Sequence, residues 1–236
     1  MKKTILVVMV LYLSFLLTGC VYPDDHLSQN TIPYQDQLQS VQTAIEQFQE
    51  DQGGILPIKT LDQTTPIYHK YPIDFKRLVP EYMAEPPGNA YESGGVFQYV
   101  IIDAENNPTV KIFDLRIADL ISEINLRIKV QGYPPYKNKI AENIYTLDFE
   151  KLGYAEEPYI VSPYSNKHLS FVINHKAEVF VDYRYDLADA IKFKENANKT
   201  GEDIRDLLVE DSPFVPAYSS PYTIDSETKE PVFLTN

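Results

Sequence analysis

Residues 71–78 read YPIDFKRL, and residues 145–152 read YTLDFEKL. The two octets share a core, Asp74-Phe75-Lys76-Arg77-Leu78 against Asp148-Phe149-Glu150-Lys151-Leu152. A third stretch, Asp203-Ile204-Arg205-Asp206-Leu207, keeps the spacing with isoleucine in place of the ring. An aspartate oxygen reaches backbone N–H groups two or three residues on and so starts a helical turn. The ring or isoleucine and the leucine lie three apart, on one face of that turn, and pin it to a core. A turn written three times predicts a duplicated module.

The surroundings of each copy support this. Upstream of the first, Leu38, Val41, Ile45 and Phe48 recur at helical spacing and Gly53-Gly54 stops the run. Upstream of the second, Ile117, Leu120, Ile121, Ile124 and Ile128 form a like stripe that ends at Gly132. Upstream of the third, Ala188-Asp189-Ala190-Ile191 echoes Ala118-Asp119-Leu120-Ile121. Downstream of each comes a loop rich in proline, tyrosine or serine, holding Tyr91, Tyr164 and Tyr218 in turn. A strand, a polar turn and a second strand follow, expected at 96–102 with 110–113, 169–173 with 179–181, and 222–224 with 232–234. Each first strand ends in Ile102-Asp103, Ile173-Asn174 or Ile224-Asp225, short side chains that start a turn. The expected fold is α+β: two to three tandem units of helix, loop, short helix and antiparallel β-hairpin. The units span 37–116, 117–185 and, shortened, 186–236.

The first nineteen residues, MKKTILVVMVLYLSFLLTG, carry a basic start at Lys2 and Lys3 and an apolar run from Ile5 to Leu17. That run is shorter than the roughly 20 apolar residues of a membrane-spanning helix, and it fits a signal peptide. It ends in Leu17-Thr18-Gly19-Cys20, which resembles the bacterial lipoprotein box. The resemblance implies a diacylglyceryl thioether on Cys20 and cleavage before it. Acyl chains then hold the membrane by CH₂ burial, about 0.8 kcal/mol each. Residues 20–36 read as a polar tether. An ordinary signal peptide with an incidental cysteine is the plain alternative.

Cys20 is the only cysteine, so the fold must rest on its core without disulfides. Low cysteine use points to the outer face of a Gram-positive cell membrane. The chain carries net charge −13, and the leader holds two of its lysines. Such a charge repels phosphate backbones and excludes nucleic acid as a partner. The membrane is reached through lipid.

The sequence carries no G-x-S-x-G elbow, no H-E-x-x-H and no phosphate loop. His168 and His175 flank a strand on opposite faces and cannot chelate together, so no metal and no cofactor are expected. Residues 103–107 (DAENN) offer oxygen ligands without the spacing of a calcium loop, and read as a turn. Glu81 with Glu85, and Glu156-Glu157, are solvated acids unless the fold brings them to glycosidase distance. Tyrosine is the one excess: 18 residues, with no tryptophan. A tyrosine ring with a polar tip suits a binding face, and equally fills small cores. Tyr91, Tyr164 and Tyr218 are the candidate binding residues.

Residues 37–113 are similar to the globular half of type II pseudopilins and pilins. The likeness rests on a helix running into a glycine turn (AIEQFQEDQGGILP) and a following LVPEYM. It implies a non-catalytic extracellular module. The whole chain resembles the uncharacterised lipoproteins of Bacillus-like bacteria. The expected function is a lipid-anchored, non-enzymatic binding or scaffold protein that meets another surface protein or a cell-wall polymer. The alternatives are a solute-binding lipoprotein of an ABC-type importer and a cell-wall hydrolase.

Overall fold

The computed structural model describes residues 34–193 and 200–234. The leader, Cys20 and residues 21–33 of the expected tether lie outside them. In chain order the elements are α1 (Tyr34–Asp51), β1 (Phe97–Ile102), β2 (Thr109–Asp114), α2 (Arg116–Gln131), β3 (Tyr136–Ala141) and β4 (Ile144–Leu147). They continue with β5 (Ile160–Val161), β6 (His168–Leu169), β7 (Phe171–Asn174), β8 (Val179–Val181) and α3 (Arg184–Phe193). The one-turn α4 (Asp206–Val209), β9 (Tyr222–Ile224) and β10 (Pro231–Phe233) close the chain. The fold is α+β, as the sequence predicts.

Each quoted stretch bonds to a neighbouring strand and then turns. In the first, the Ile73 N–H donates to Tyr99 O (3.1 Å) and the Ile101 N–H to Tyr71 O (2.9 Å), so 71–73 pair with β1. In the second, the same letters form β4, with Tyr145 opposite Ile173 of β7. In the third, the Ile204 N–H donates to Tyr222 O of β9 (2.9 Å). An outer partner recurs too. The Asp74 N–H donates to Pro57 O (2.7 Å), and the Asp148 N–H to Pro135 O (2.8 Å). Residues 57–59, 71–73, β1 and β2 thus match the four-stranded sheet β3-β4-β7-β8 in order.

The turns behave alike. Leu78, Leu152 and Leu207 each donate their N–H to the carbonyl three residues back, of Phe75, Phe149 and Ile204 (3.0, 3.1 and 3.1 Å). Asp74 Oδ1 accepts from the Lys76 N–H (3.3 Å) and Asp203 Oδ1 from the Arg205 N–H (3.1 Å). The Lys151 ammonium lies 2.9 Å from Asp148. Phe75, Leu78, Phe149, Leu152 and Ile204 are all buried. Burial of one such side chain contributes roughly 1.5–3 kcal/mol. The expected short helix is a 3-10 turn in the first copy, a run of turns in the second and α4 in the third.

The helices bury the predicted stripes. Helix α1 buries Leu38, Val41, Ala44, Ile45 and Phe48, and α2 buries Ile117, Ile121, Ile124 and Ile128. Gly53 and Gly54 take φ +64° and +93°, a left-handed stop that a side chain would strain. Gln42 on α1 completes the edge of β2. Its Oε1 accepts from the Val110 N–H (2.9 Å), and its Nε2 donates to Pro108 O (3.0 Å). The strand expected at 169–173 is split at Ser170, whose carbonyl accepts from the Asp182 N–H (3.0 Å).

Residues 213–218 stitch the repeats together. Ile112 of β2 donates to Pro213 O (2.9 Å) and accepts from the Val215 N–H (3.0 Å), while the Val181 N–H of β8 donates to Tyr218 O (2.9 Å). The second and third repeats share one core, in which Ile124, Ile173, Leu187, Leu208 and Tyr222 meet. The first and third share another, of Tyr68, Val100, Phe113, Val209, Val215 and Ala217.

An Asp-x-Arg clip occurs at Asp114/Arg116, Asp182/Arg184 and Asp203/Arg205. The aspartate accepts both from the arginine's backbone N–H and from its guanidinium, in two places. The first two clips sit where a hairpin ends and the next helix begins. The third is buried at its arginine: the Arg205 side chain is 8% exposed, against 62% for Arg116. Arg205 also donates to Ser219 O (3.1 Å) and Oγ (3.0 Å) and lies over the Tyr68 ring at 5.1 Å.

Truncating a buried pair costs about 3–5 kcal/mol. Asp203 regains some water, so Arg205→Ala should lose about 3 kcal/mol, a fall in Tm of roughly 6–12 °C. Arg116→Ala should lose under about 1 kcal/mol. Thermal unfolding of both variants checks this, and equal losses would contradict it.

Candidate functional site

Three loops precede the hairpins, and Tyr91, Tyr164 and Tyr218 stand at matching places in them. Tyr91 is 63% exposed, on the 3-10 turn Tyr91–Ser93. That turn folds back so closely that a Cβ at Gly95 would lie 2.1 Å from the Asn89 carbonyl. Asn89 Oδ1 in turn accepts from the buried Tyr99 hydroxyl (2.7 Å).

The second loop is clamped from α3. Asp186 is buried, and its two oxygens accept from Ser162 Oγ (2.8 Å) and Ser165 Oγ (2.6 Å). Ser162 Oγ accepts from the N–H groups of Tyr164 (3.0 Å) and Ser165 (3.1 Å). Its donor and acceptor sites are thus taken up in clamping the loop. Burial raises the Asp186 carboxyl above its ordinary range, and the Ser165 and Ser162 hydroxyls pull it partly back. The Tyr164 ring meets Tyr183 edge-on at 6.0 Å. The Tyr164 hydroxyl is buried without a hydrogen-bond partner among the described residues, and burial holds it protonated.

Tyr218 in the third loop takes φ +57°. Its N–H donates to His69 Nε2 (3.3 Å), and its ring meets His69 edge-on at 4.4 Å. The His69 imidazole stacks on Phe113 at 4.8 Å. Burial lowers the His69 pKa from 6.5 to about 4. Tyr164 and Tyr218 pack against one core, whereas Tyr91 stays at the surface.

Three open clefts bear on binding. One, of about 740 Å³, lies between α1, β2 and residues 210–213, lined by Gln35, Gln39, Gln42, Lys111 and Glu210. A second, of about 590 Å³, holds Tyr164, Asp186, Asp189, Phe193 and Leu207. A third, of about 440 Å³, is lined by His168, Ser170, Asp182, Arg184, Tyr185 and Glu230. Tyr91 and Tyr218 line none of these. His168 stacks on Tyr159, and His175 lies in the β7–β8 turn, where its N–H donates to Asn143 O (3.0 Å). No group of three or more metal-ligating side chains forms among the described residues. Glu81, Glu85, Glu156 and Glu157 are exposed, Glu157 facing Lys137 at 3.6 Å.

The Asp-x-Arg clips escaped the sequence reading, although the motif is written three times. The Ser162–Asp186 clamp had no local signal, because its partners lie in separate elements.

Residues 34–114 match the family model described as the YphF family N-terminal domain. The match opens at the first residue of α1 and closes at the last of β2, and so covers the first repeat. No curated protein and no solved structure matches the chain.

His69 is neutral in the fold and protonates near 6.5 once unfolded, so acid favours unfolding. Its contribution is present above pH 6.5 and is lost as pH falls to about 4. Asp186 acts in the opposite sense, since its carboxyl is raised on folding. The difference between wild type and His69→Phe isolates the imidazole. Denaturation from pH 7 to 4 should show a flatter profile for the variant, and an NMR midpoint of His69 at 6 or above would contradict the assignment.

Proposed function

We propose that this chain is a lipid-anchored protein of the outer face of the cell membrane whose repeated body binds a partner rather than catalysing a reaction. One observation carries the reading: Cys20 closes an apolar leader behind two small residues, shortly before the compact body begins at Gln35. The order of helix, glycine turn, short helical turn and hairpin in the first repeat adds support, being the order on which the likeness to the pseudopilin module rests. The family match to that repeat favours a modular chain. The hairpin ladders among the described residues are antiparallel, which favours this reading over an importer receptor with parallel-sheet lobes. The Ser162–Asp186 pair is spent on loop shape, which weighs against the hydrolase. The resemblance to lipoproteins of Bacillus-like bacteria belongs to the same proposal.

Cell fractionation with metabolic palmitate labelling tests the anchor. The wild-type chain should carry label and sediment with membranes, and Cys20→Ser should lose both properties. A labelled Cys20→Ser, or an unlabelled wild type, would overturn the anchored reading.

A further inference from the structure

The 440 Å³ cleft beside β6 differs in kind from the other two. Its floor is fixed. Arg184 grips Asp182 through two nitrogens (3.1 Å from Nε and 2.6 Å from Nη2 to Oδ2), and its guanidinium lies over the Phe233 ring at 4.9 Å. Its lining holds the rings of His168 and Tyr185, and further exposed side chains flank them. Tyr159 is 49% exposed and stacks nearly parallel on His168, with ring centres 3.7 Å apart. Tyr185 is 42% exposed and carries the Lys167 ammonium at 3.7 Å. Exposed Val161 pairs across the ladder with His168. Rings held in this way lose little freedom on binding.

The charges decide the class of ligand. In the lining Asp182 and Glu230 stand against Arg184, and Lys167 lies just outside it over Tyr185, so the cleft holds no excess of positive charge within a chain of net charge −13. Anionic polymers meet no positive patch here. A sugar ring presents an apolar C–H face to tyrosine and imidazole rings, and its hydroxyls bond planar carboxylate and guanidinium groups. The volume falls in the range of small-ligand clefts, about 300–1,000 Å³.

We infer that the cleft lined by His168, Tyr185 and the Asp182–Arg184 pair, with Tyr159 stacked on His168 beside it, binds an uncharged glycan strand. The inference rests on the proposed function and names the partner class for that binding body. Its floor joins elements of two repeats, β8–α3 and the start of β10.

The full chain in detergent micelles is titrated with N-acetylglucosamine tetramer and incubated with purified wall sacculi stripped of anionic polymers. Both should bind the wild type. Tyr159→Ala and Tyr185→Ala should weaken binding about tenfold with Tm little changed. Tyr91→Ala, an exposed tyrosine outside the cleft, should bind as wild type. Failure of the wild type to bind either probe would overturn the inference. So would Tyr159→Ala and Tyr185→Ala binding as wild type, or binding only to unstripped sacculi and lost in salt. A chain that is labelled and membrane-bound yet fails these tests would sink the glycan site and leave the anchored-module reading standing.

Discussion

The Arg205 guanidinium is the point on which the three repeats depend. It grips Asp203, and so sets the turn that starts α4. It donates to Ser219, and so fixes the end of the segment that stitches β2 to β8. Its face rests on Tyr68, in the repeat farthest from it in sequence. A charge this buried is tolerated only because its donors are met. The stitch then follows, with Ile112 held between Pro213 and Val215, and Val181 donating to Tyr218. Lys111 reinforces it, donating to Val209 O (2.8 Å) and Ser212 O (2.6 Å) while burial lowers its pKa. A repeat too small to bury both its helix stripe and its hairpin face gains the missing cover from its neighbours.

Much of this is legible in the letters. The stripes of α1 and α2 have a clean helical period, and the first and third hairpins appear within a residue of where alternation puts them, while the first strand of the second is split at Ser170. The octets were half understood. Their Asp-to-Leu half is the expected turn; ahead of it residues 71–73 bridge to β1, and 145–147 belong to β4, paired with β7. Strand β3 was invisible for a physical reason. Its first residues, Tyr136, Lys137, Asn138 and Lys139, are all exposed on a sheet edge, so no alternation marks them. The carbonyls of Pro57 and Pro135 hold the repeated aspartates, a contact with no signal in the letters.

The tyrosines show where letters run out. Tyr91, Tyr164 and Tyr218 occupy one position in a repeated loop, but their neighbours differ. Tyr91 meets solvent, Tyr164 meets Tyr183, and Tyr218 meets His69 and Phe113. Repetition preserves backbone more firmly than it preserves a site. The aromatic cleft near Tyr185 draws on residues from two repeats and from separate elements, so no single stretch announces it. Cys20, on which the proposed anchor rests, lies outside the described residues.

Amide hydrogen exchange along the stitch tests the central claim most directly, namely that the repeats form one cooperative body. The N–H groups of Ile112, Val181 and Val215 should exchange as slowly as the core amides of Ile73 and Ile204, and all should open together as denaturant is added. If Ile112 and Val215 open well before Ile204, the first repeat is a separate unit and the stitched account is wrong.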